Sequence, residues 1–502
     1  MSSKHVAVII IGAGLSGIGA ACHLTKHTPA KSFAVLESRA AMGGTWDLFR
    51  YPGIRSDSDM HTLGFRFKPW IDDKSIADGS SILNYLNETV DEFNIREKIL
   101  FNHKVVSANW VSSESKWELE VLDSNNSTNI ISCNFLFLCG GYYSYEKPHQ
   151  PRFKSENSFK GLIMHPQFWD ESLDYSNKNI IVIGSGATAV TLVPALAKTA
   201  KHVYMLQRSP SYVVSAPEED VLNLKLKKVL PLKLAYFVTR WKNILSTYYM
   251  FYFARSYPEA TKTKIINMIK DELGDDYDVD KHFTPSYKPW DQRVCLVPDG
   301  DLFKSINNGT SSVITDHIDI FMEDGILLKS GKKLNADIVI TATGIELNVL
   351  SDIAINIDGV KVEPHNHLAY KGMMLGGVPN LAFSFGYVNA SWTLRADLTA
   401  EYVCRLINQM DKEGVSACMA DQDARAEADD NYIDFTSGYV QRALDKLPQQ
   451  GRKAPWRNYQ NYLLNSTTFW WSASVMRYRC NILDRVNFKT YTSDSPNSCF
   501  TT

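Results

Sequence analysis

The sequence lacks closely spaced cysteine pairs and a large net charge, and each absence excludes some classes of function. Its eight cysteines are scattered, with no CxxC pair and no Cys/His cluster at zinc-ligand spacing, so no zinc site is expected. Reduced thiols in a cytoplasmic protein are the favoured interpretation. The formal net charge of −2 over 502 residues gives no basic field, which argues against nucleic acid as a partner. The chain also has no low-complexity linker, although its length predicts about two to four domains.

The longest apolar run lies near the N-terminus. It extends from Val6 to Leu24 and approaches the ~20 residues of a membrane span. Its glycines are regularly spaced and a further strand-like segment follows, unlike a signal peptide with its basic start and small-residue cleavage site. We therefore expect a strand followed by a helix, with no signal or membrane-spanning role.

A glycine motif follows the first strand. Gly12, Gly14 and Gly17 form GxGxxG, with Ser16 inside it, between a β-branched run and an alanine-rich helix. Such glycines permit a tight turn, close approach of the backbone to a pyrophosphate, and close helix–strand packing. The next apolar run ends in Glu37, where an acid can bind ribose hydroxyls. The segment predicts a first dinucleotide site.

The same pattern of strand, glycine-rich loop and helix recurs later in the chain, in NIIVIGSGATAV. The motif consists of Gly184, Ser185, Gly186, Ala187, Thr188 and Ala189, the accepted GxGxxA variant. The following strand ends in Gln207, Arg208 and Ser209, so a neutral residue stands where Glu37 stood in the first copy. A carboxylate would repel a 2′-phosphate, whereas Arg208 can pair with it. The second site is therefore predicted to bind NADPH and the first FAD, with hydride passing between them.

Two further signatures identify a family. The connector FKGLIMHPQFWD matches FxGxxxHxxxW followed by Pro or Asp, with Phe159, Gly161, His165, Trp169 and Asp170 in the defining positions. GGTW at 43–46, YPG at 51–53 and Asp57 form a second signature. On these residues the chain resembles the type I Baeyer–Villiger monooxygenases, within the flavin-containing monooxygenases. In that family the connector joins the FAD and NADP domains, and its histidine controls their relative motion rather than the chemistry.

The resemblance implies a reaction and the residues that perform it. Reduced FAD would react with O2 to form a C4a-peroxyflavin that oxygenates ketones to esters or lactones, with sulfoxidation as a second activity. Arg293 matches the catalytic arginine and Asp57 its carboxylate partner; relatives often carry lysine where this chain has Gln292. The positions matching flavin contacts are Thr45, Trp46, Asp47, Leu48, Asp57 and Val105, and those matching nicotinamide-nucleotide contacts are Arg55 and Ser56.

The fold class expected is α/β, with two Rossmann-like dinucleotide-binding domains and a helical insertion. The FAD domain is predicted to be discontinuous, and a helix N-terminus within 389–398 should lie near the flavin. The predicted segments are 1–150 for the first part of the FAD domain, 151–215 for the first part of the NADP domain with its linker at 159–170, 216–285 for the insertion, 286–344 for the second part of the NADP domain, and 345–502 for the remainder of the FAD domain and the tail.

The insertion alternates basic and apolar residues at helical spacing. Core packing is the favoured interpretation of its apolar residues, and peripheral contact with a membrane is the alternative. The aromatic run at 469–471 raises the same question. The sequence does not indicate an oligomeric state.

Three other functions share parts of this pattern. A flavin monooxygenase acting mainly on sulfur or nitrogen would carry the same motifs and differ in its products. A pyridine nucleotide–disulfide oxidoreductase also has two nucleotide sites, but it needs a redox cysteine pair, which the cysteine spacing does not supply. A redox-sensing flavoprotein would bind FAD without substrate-dependent NADPH consumption.

Overall fold

Two separate β-sheets organise the chain in the computed structural model, which describes residues 4–420, 428–433 and 435–475. The strands are β1 Lys4–Ile11, β2 Phe33–Leu36, β3 Ile99–Leu100, β4 Lys104–Val111, β5 Lys116–Leu122, β6 Thr128–Leu138, β7 Tyr143–Pro148, β8 Leu162–Met164, β9 Asn179–Ile183, β10 His202–Gln207, β11 Val213–Ala216, β12 Cys295–Pro298, β13 Ser311–Thr315, β14 Ile318–Met322, β15 Gly325–Leu328, β16 Lys333–Asn335, β17 Ile338–Ile340, β18 Ile345–Leu347, β19 Ala354–Ile357, β20 Val360–Lys361, β21 Ala369–Tyr370, β22 Met374–Leu375, β23 Leu381–Phe383, β24 Ala428–Asn431 and β25 Gln449–Gly451.

Helices cover both sheets, and a group of four consecutive helices, α6 to α9, comes from the middle of the sequence. The α-helices are α1 Leu15–His27, α2 Thr45–Leu48, α3 Met60–Leu63, α4 Gly79–Glu92, α5 Ala187–Leu196, α6 Val221–Lys227, α7 Leu232–Ser256, α8 Pro258–Leu273, α9 Val279–Phe283, α10 Asp301–Asn307, α11 Trp392–Glu413, α12 Gly438–Gln441 and α13 Tyr462–Val475. Short 3₁₀ turns occupy Arg96–Lys98, Glu156–Ser158, Pro166–Phe168, Leu350–Asp352, Pro364–Asn366 and Leu444–Lys446.

The first sheet combines strands from both ends of the chain. Its order is β20-β19-β4-β5-β6-β1-β2-β3, and β23 also pairs with β6. β1 runs parallel to β2 and β6, with Ile10 opposite Val35 and Phe137. Ile9 and Ile10 are fully buried, as expected for the near-continuous apolar run of a parallel strand covered on both faces. The N-terminal apolar run is therefore a buried strand and helix.

The second sheet is parallel and smaller. Its order is β13-β10-β9-β17-β8, with β9 central and followed directly by α5. The strands β9 and β17 are three to five residues long and their residues Ile180, Ile181 and Val339 have no exposed surface. The α/β class predicted from the sequence is thus confirmed, with parallel strands at the core of both sheets.

A short antiparallel ribbon connects the two sheets. The chain passes from the first to the second sheet through β7 and returns through β18, and these strands pair with each other. The backbone N–H of His149 donates to the carbonyl of Gly344 at 3.3 Å. Because both crossings run side by side, the two sheets share one narrow connection.

Helices α6 to α9 lie between β11 and β12. The longest, α7, turns Tyr236, Thr239 and Arg240 inward, and all three are buried. Core packing was the favoured interpretation for the apolar residues of this segment, but for many of them it is wrong: Phe237 and Tyr249, for example, are 55% and 68% exposed. Within the described ranges, no helix is both long and apolar enough to cross a bilayer.

Candidate active site

One large cavity of about 1070 Å³ lies where the two glycine motifs meet. It exceeds the upper end of the ~300–1,000 Å³ typical of small-ligand sites. The loops after β1 and β9 both line it. Ligands of open α/β sheets bind at the carboxyl ends of strands, so the position agrees with two nucleotide sites opening into one space.

Most residues singled out from the sequence line this cavity. They are Gly12, Gly14, Ser16, Glu37, Thr45, Trp46, Arg55, Ser56, Asp57, Val105, Gly184, Ser185, Gly186, Ala187, Thr188, Arg208, Ser209 and Arg293. The residues that do not line it are Gly17, Asp47, Leu48, Ala189, Phe159, Gly161, His165, Trp169 and Asp170. The second group holds the surrounding structure in place.

The first glycine loop packs against the GGTW signature. Gly12 has a φ of +95°, and a Cβ there would come within 2.9 Å of the Gly140 Cα. A Cβ on Gly44 would lie 2.9 Å from the Gly14 Cα. A Cβ on Gly17 would lie only 1.8 Å from the Gly12 carbonyl oxygen, so this glycine serves helix–loop packing. A side chain on Gly44 would push the two loops apart, and one on Gly12 or Gly17 would collide with neighbouring backbone.

Glu37 is buried beside the first loop. Its Oε2 accepts a hydrogen bond from the Ala13 N–H at 2.7 Å, and its Oε1 accepts one from the Arg39 N–H at 2.9 Å. A carboxylate oxygen has more than one lone pair. The side chain therefore shapes the loop and keeps acceptor capacity toward the cavity that it lines.

Asp47 faces away from the cavity. Its two carboxylate oxygens pair with Arg39 at 2.6 Å and with Arg50 at 2.5 Å. Its neighbour Leu48 packs against the apolar core of the second sheet. These contacts anchor the GGTW turn from behind, and the assignment of both side chains as flavin contacts stays a prediction.

The second glycine motif is more open than the first. A Cβ on Gly186, at the start of the ten-residue helix α5, would meet nothing within 4 Å. At the end of β10, Gln207 donates to the His282 carbonyl at 2.7 Å and to Thr315 Oγ1 at 2.9 Å. Arg208 is exposed and lines the cavity, and none of the ion pairs of the described residues involves it. A free guanidinium thus stands beside an open helix N-terminus.

Two further residues of this region have defined partners. Arg55 forms a two-point ion pair with Asp301, at 2.5 and 3.3 Å. Ser56 is 2% exposed, and its hydroxyl accepts a hydrogen bond from the Ala77 N–H at 3.2 Å. Arg55 therefore reaches the cavity wall with its charge already neutralised by a carboxylate.

An ion pair spans the cavity wall between the two sheets. Arg293 Nη1 donates to Asp57 Oδ2, and the two residues are 236 positions apart. The Asp57 carboxylate raises the pKa of Arg293 well above its usual value, while burial opposes the charge. The Arg293 side chain keeps 35% of its surface accessible and lines the cavity. A permanent positive charge is thus held in a fixed orientation.

Aromatic side chains that the sequence did not single out surround this ion pair. Tyr142 stacks on Trp392 at 4.9 Å, and its hydroxyl contacts that of Tyr143 at 2.5 Å. Burial raises the pKa of Tyr142 to about 12 and that of Tyr143 well above its usual value, so both phenols stay neutral. Trp392 Nε1 donates to Ser16 Oγ at 2.7 Å. The only signals in the sequence were the GGYYSYE segment after a strand and the NASW segment before a helix.

The start of α11 lies at the cavity, as the 389–398 segment suggested. Ser391 is its N-cap residue, and both Ser391 and Trp392 line the wall. The helix continues for 22 residues, and most of its first half is buried. The C-terminal part of the chain therefore contributes directly to the site.

The connector residues hold the crossing between the sheets. His165 Nε2 donates to the Gly344 carbonyl at 3.1 Å, and its Nδ1 accepts from the Gln167 N–H at 3.1 Å. Burial lowers the pKa of His165 to about 4, so the ring is neutral with its proton on Nε2. A Cβ on Gly161 would lie 2.3 Å from the Asp337 carbonyl oxygen. His165 therefore ties the outgoing crossing of the chain to the returning one.

The remaining connector residues are structural. Phe159 is buried and packs edge-on against Phe321 at 6.3 Å. Trp169 packs edge-on against Tyr175 at 6.2 Å. Asp170 is at the surface and caps a turn by accepting hydrogen bonds from Ser172.

Two cysteines reach the cavity but are poorly suited to redox exchange. Cys139 and Cys295 line it and are free thiols. Burial raises the pKa of both, that of Cys295 to about 12. Since the thiolate is the reactive form, these side chains do not favour disulfide chemistry.

This arrangement of two glycine motifs and one cavity has counterparts among known proteins. Residues 3–374 match the family described as flavin-binding monooxygenase-like. The match covers most of the chain, and the protein belongs to this family.

Individual relatives agree with that assignment. The chain is 51% identical over 462 residues to the FAD-containing monooxygenase EthA of Mycobacterium tuberculosis, covering 92% of this chain and 94% of the relative. It is 48% identical over 462 residues to the probable FAD-binding monooxygenase AlmA of an Acinetobacter species, covering 92% and 93%.

Solved structures show the same fold at low identity. A cyclohexanone monooxygenase from Rhodococcus bound to NADP⁺ superposes with a TM-score of 0.76 at 19% identity, covering 95% of this chain and 99% of that one. A steroid monooxygenase bound to NADP gives a TM-score of 0.75 at 20% identity, covering 95% and 99%. At these identities the likeness speaks to the fold alone.

Proposed function

We propose that this protein is an NADPH- and O2-dependent FAD monooxygenase that carries out Baeyer–Villiger oxidation of ketones to esters or lactones, with sulfoxidation as a second reaction. The observation that carries the proposal is the Arg293–Asp57 ion pair in the wall of a cavity lined by both glycine motifs. Membership of the flavin-binding monooxygenase-like family and the 51% identity to an FAD-containing monooxygenase support flavin-dependent oxygenation.

The residues around the first motif fit FAD. Gly12 and Gly14 leave room for a pyrophosphate at the start of α1, and Glu37 offers a buried carboxylate for the ribose hydroxyls. Val105 also lines the cavity, and we assign its backbone to the adenine. Trp46 and Thr45 also line the cavity, and we assign them to the isoalloxazine ring.

The residues around the second motif fit NADPH. The open N-terminus of α5, from Gly186 through Thr188, can bind the pyrophosphate. Arg208, followed by Ser209, can take the 2′-phosphate because no carboxylate neutralises it in the described structure. Arg55 can turn from Asp301 toward the nucleotide, since their ion pair is partly exposed to the cavity.

Arg293 has the central role in oxygenation. When bound, reduced FAD supplies the activation of O2 and the protein controls the charge around it. The Arg293 guanidinium stabilises negative charge that develops on oxygen, and Asp57 keeps it aimed into the cavity. The neutral phenols of Tyr142 and Tyr143 and the indole of Trp392 exclude water from this wall.

Product analysis under ¹⁸O2 tests the proposal. The purified protein with FAD and NADPH is given a panel of cyclic and linear ketones, of sulfides and of tertiary amines. We expect esters or lactones that contain one ¹⁸O atom, together with NADPH consumption that depends on the ketone. Sulfoxides or N-oxides without any ester would instead assign the protein to sulfur or nitrogen oxygenation. Formation of hydrogen peroxide alone would reject monooxygenation.

A further inference from the structure

The helix α7 has apolar side chains on both sides: Ala235, Tyr236 and Ile244 are buried on its inward face, and large apolar side chains are exposed on its outward face. Its inward face includes Thr239, Arg240 and Asn243, of which the first two are fully or nearly buried. Arg240 donates to the carbonyls of His61 and Gly64 at 2.7 and 2.8 Å. A helix at the surface of a water-soluble domain normally turns its apolar stripe inward, so the outward face requires a separate explanation.

The outward face is a continuous apolar stripe. We call it the outer face of α7, and it consists of Leu234, Phe237, Val238, Trp241, Leu245, Tyr248, Tyr249 and Tyr252. These positions recur at intervals of three and four residues, which places them on one side of the helix. Apart from the half-buried Trp241, their exposure lies between 36% for Tyr248 and 68% for Tyr249. The stripe is about 27 Å long at 1.5 Å per residue.

The charge around this face has one sign. From Val221 to Pro258 the sequence has five lysines and two arginines and no Asp or Glu, in a chain with a net charge of −2. Lys225, Lys228 and Lys233 are exposed beside the N-terminal end of α7. None of the ion pairs recorded for the described residues involves these three lysines. An aromatic and aliphatic stripe next to free lysines is typical of helices that lie in a membrane interface.

We propose that the outer face of α7 docks on an anionic lipid surface, with Lys225, Lys228 and Lys233 contacting the headgroups. The helix lies on the bilayer and does not cross it. Its inward face makes contacts with the helices of the first sheet, such as those of Arg240 with the carbonyls of His61 and Gly64. The same face of a second copy would offer these lysines no acidic partner, because the sequence has no Asp or Glu between Val221 and Pro258. The charge therefore favours lipid over a second copy.

Docking in this orientation also places the cavity wall near the lipid. Tyr248 and Tyr252 line a small cavity of about 30 Å³ next to α7. The opposite side of that cavity includes Ala390 and Ser391, which also line the main cavity. The C-terminal half of the outer face thus lies close to one wall of the candidate active site.

Vesicle sedimentation with the full 502-residue protein tests the proposal independently of any enzymatic activity. The probes are vesicles of phosphatidylcholine alone and of phosphatidylcholine with phosphatidylglycerol. We expect binding to the anionic vesicles that weakens as salt increases. Sedimentation of the protein with neither type of vesicle would overturn the proposal.

Matched variants separate lipid docking from general stickiness. The stripe variant Phe237→Ser/Leu245→Ser removes apolar groups that are 55% and 50% exposed, and its control Ile130→Ser/Val360→Ser removes groups that are 45% and 71% exposed elsewhere. We expect the stripe variant to bind the anionic vesicles at least about tenfold more weakly than the parent. The control should bind them as the parent does. All four side chains are exposed, so the flavin content of both variants should equal that of the parent. Equal binding by both variants would reject the outer face as the contact.

A charge-matched pair tests the headgroup contacts. Lys225→Glu/Lys228→Glu/Lys233→Glu and Lys329→Glu/Lys332→Glu/Lys412→Glu carry the same net charge. The first should lose on the order of a hundredfold in affinity for anionic vesicles, at roughly fivefold per lysine near the surface; the second should keep it. Equal losses would overturn the proposal. Light scattering then tests whether a second copy of the chain covers this face. An oligomer that dissociates on the Phe237→Ser/Leu245→Ser substitution would assign the outer face of α7 to a dimer contact and would overturn the lipid-docking proposal.

Discussion

Arg293 can stabilise an anionic oxygen only while its guanidinium stays charged and directed into the cavity. Asp57 provides both conditions, because it raises the pKa of Arg293 and fixes one of its nitrogens. The pairing also has a cost, since the carboxylate offsets part of the positive charge that an oxygen anion would experience. The stabilisation of an oxygen anion therefore depends on the side of the guanidinium that Asp57 leaves uncovered. The Arg293 side chain keeps 35% of its surface accessible.

Replacing Arg293 by alanine should separate reduction from oxygenation. NADPH binds through other residues in our assignment, so Arg293→Ala should still be reduced by NADPH. Its yield of ester or lactone should fall by about a hundredfold or more, the effect of removing an anion-stabilising group. Product yield and flavin reduction are measured in parallel. Arg96→Ala, which breaks an exposed ion pair with Asp91, is the control, and normal product formation by Arg293→Ala would remove it from the mechanism.

Arg208 should determine the preference for NADPH over NADH. Its exposed guanidinium has no carboxylate partner among the described residues, and charge-assisted hydrogen bonds contribute about 1.5–3 kcal/mol. Arg208→Ala should therefore raise KM for NADPH by about tenfold to a hundredfold and leave KM for NADH nearly unchanged. Steady-state kinetics with both nucleotides decide the matter. An equal rise for the two nucleotides would contradict a contact with the 2′-phosphate.

At the scale of elements, the crossing between the sheets depends on one neutral histidine. His165 donates to Gly344 and accepts from Gln167, which requires the single tautomer protonated on Nε2. A second proton would remove the acceptor and place a charge in a buried position. The contact between the β7–β18 ribbon and the connector therefore weakens when the ring is protonated.

This dependence predicts how stability changes with pH. Burial lowers the pKa of His165 from 6.5 to about 4, so the unfolded chain binds the proton more readily. The stabilisation of the folded state by the neutral His165 ring is fully present above pH 6.5. It is lost as the pH falls toward 4, and the total loss is about 3 kcal/mol. His165→Gln should lower Tm at pH 7 but show a smaller further loss between pH 7 and 5. The exposed His365→Gln is the control, and parallel Tm profiles for His165→Gln and the parent would contradict the mechanism.

The elements that the sequence predicted best are those encoded by contiguous residues. Both strand–glycine loop–helix units were recognisable because their β-branched runs and glycines lie within about 15 residues of each other. The roles of Tyr142 and Trp392 were not, since their stacking joins segments 250 positions apart. The exposed apolar face of α7 was also hidden, because helical spacing defines an apolar stripe without telling which side faces the core. Asp47 lies beside a family signature, yet its contacts with Arg39 and Arg50 follow from the backbone turn.

At the scale of the whole molecule, the first sheet and the candidate FAD site are assembled from both ends of the chain. Strand β23 pairs with β6, matching Leu381 to Leu136. His23 on α1 contacts Asp397 on α11 at 3.2 Å, and both side chains are buried. Helix α11 thus covers α1, whose N-terminus lies next to the first glycine loop.

A chain that ends at residue 344 should therefore fail to retain FAD. It would keep both glycine motifs and Arg293 but would expose the edge of β6 and the outer surface of α1, and it would lose the hydrogen bond from Trp392 to Ser16. Exposed apolar surface and an unpaired strand edge promote aggregation. Flavin absorbance per purified protein and the soluble yield, both compared with the full chain, measure the effect. A soluble 1–344 fragment with full FAD content would mean that the first glycine loop and its neighbours form the cofactor site without α11, and that the cavity wall contributed by the C-terminal part serves the substrate alone.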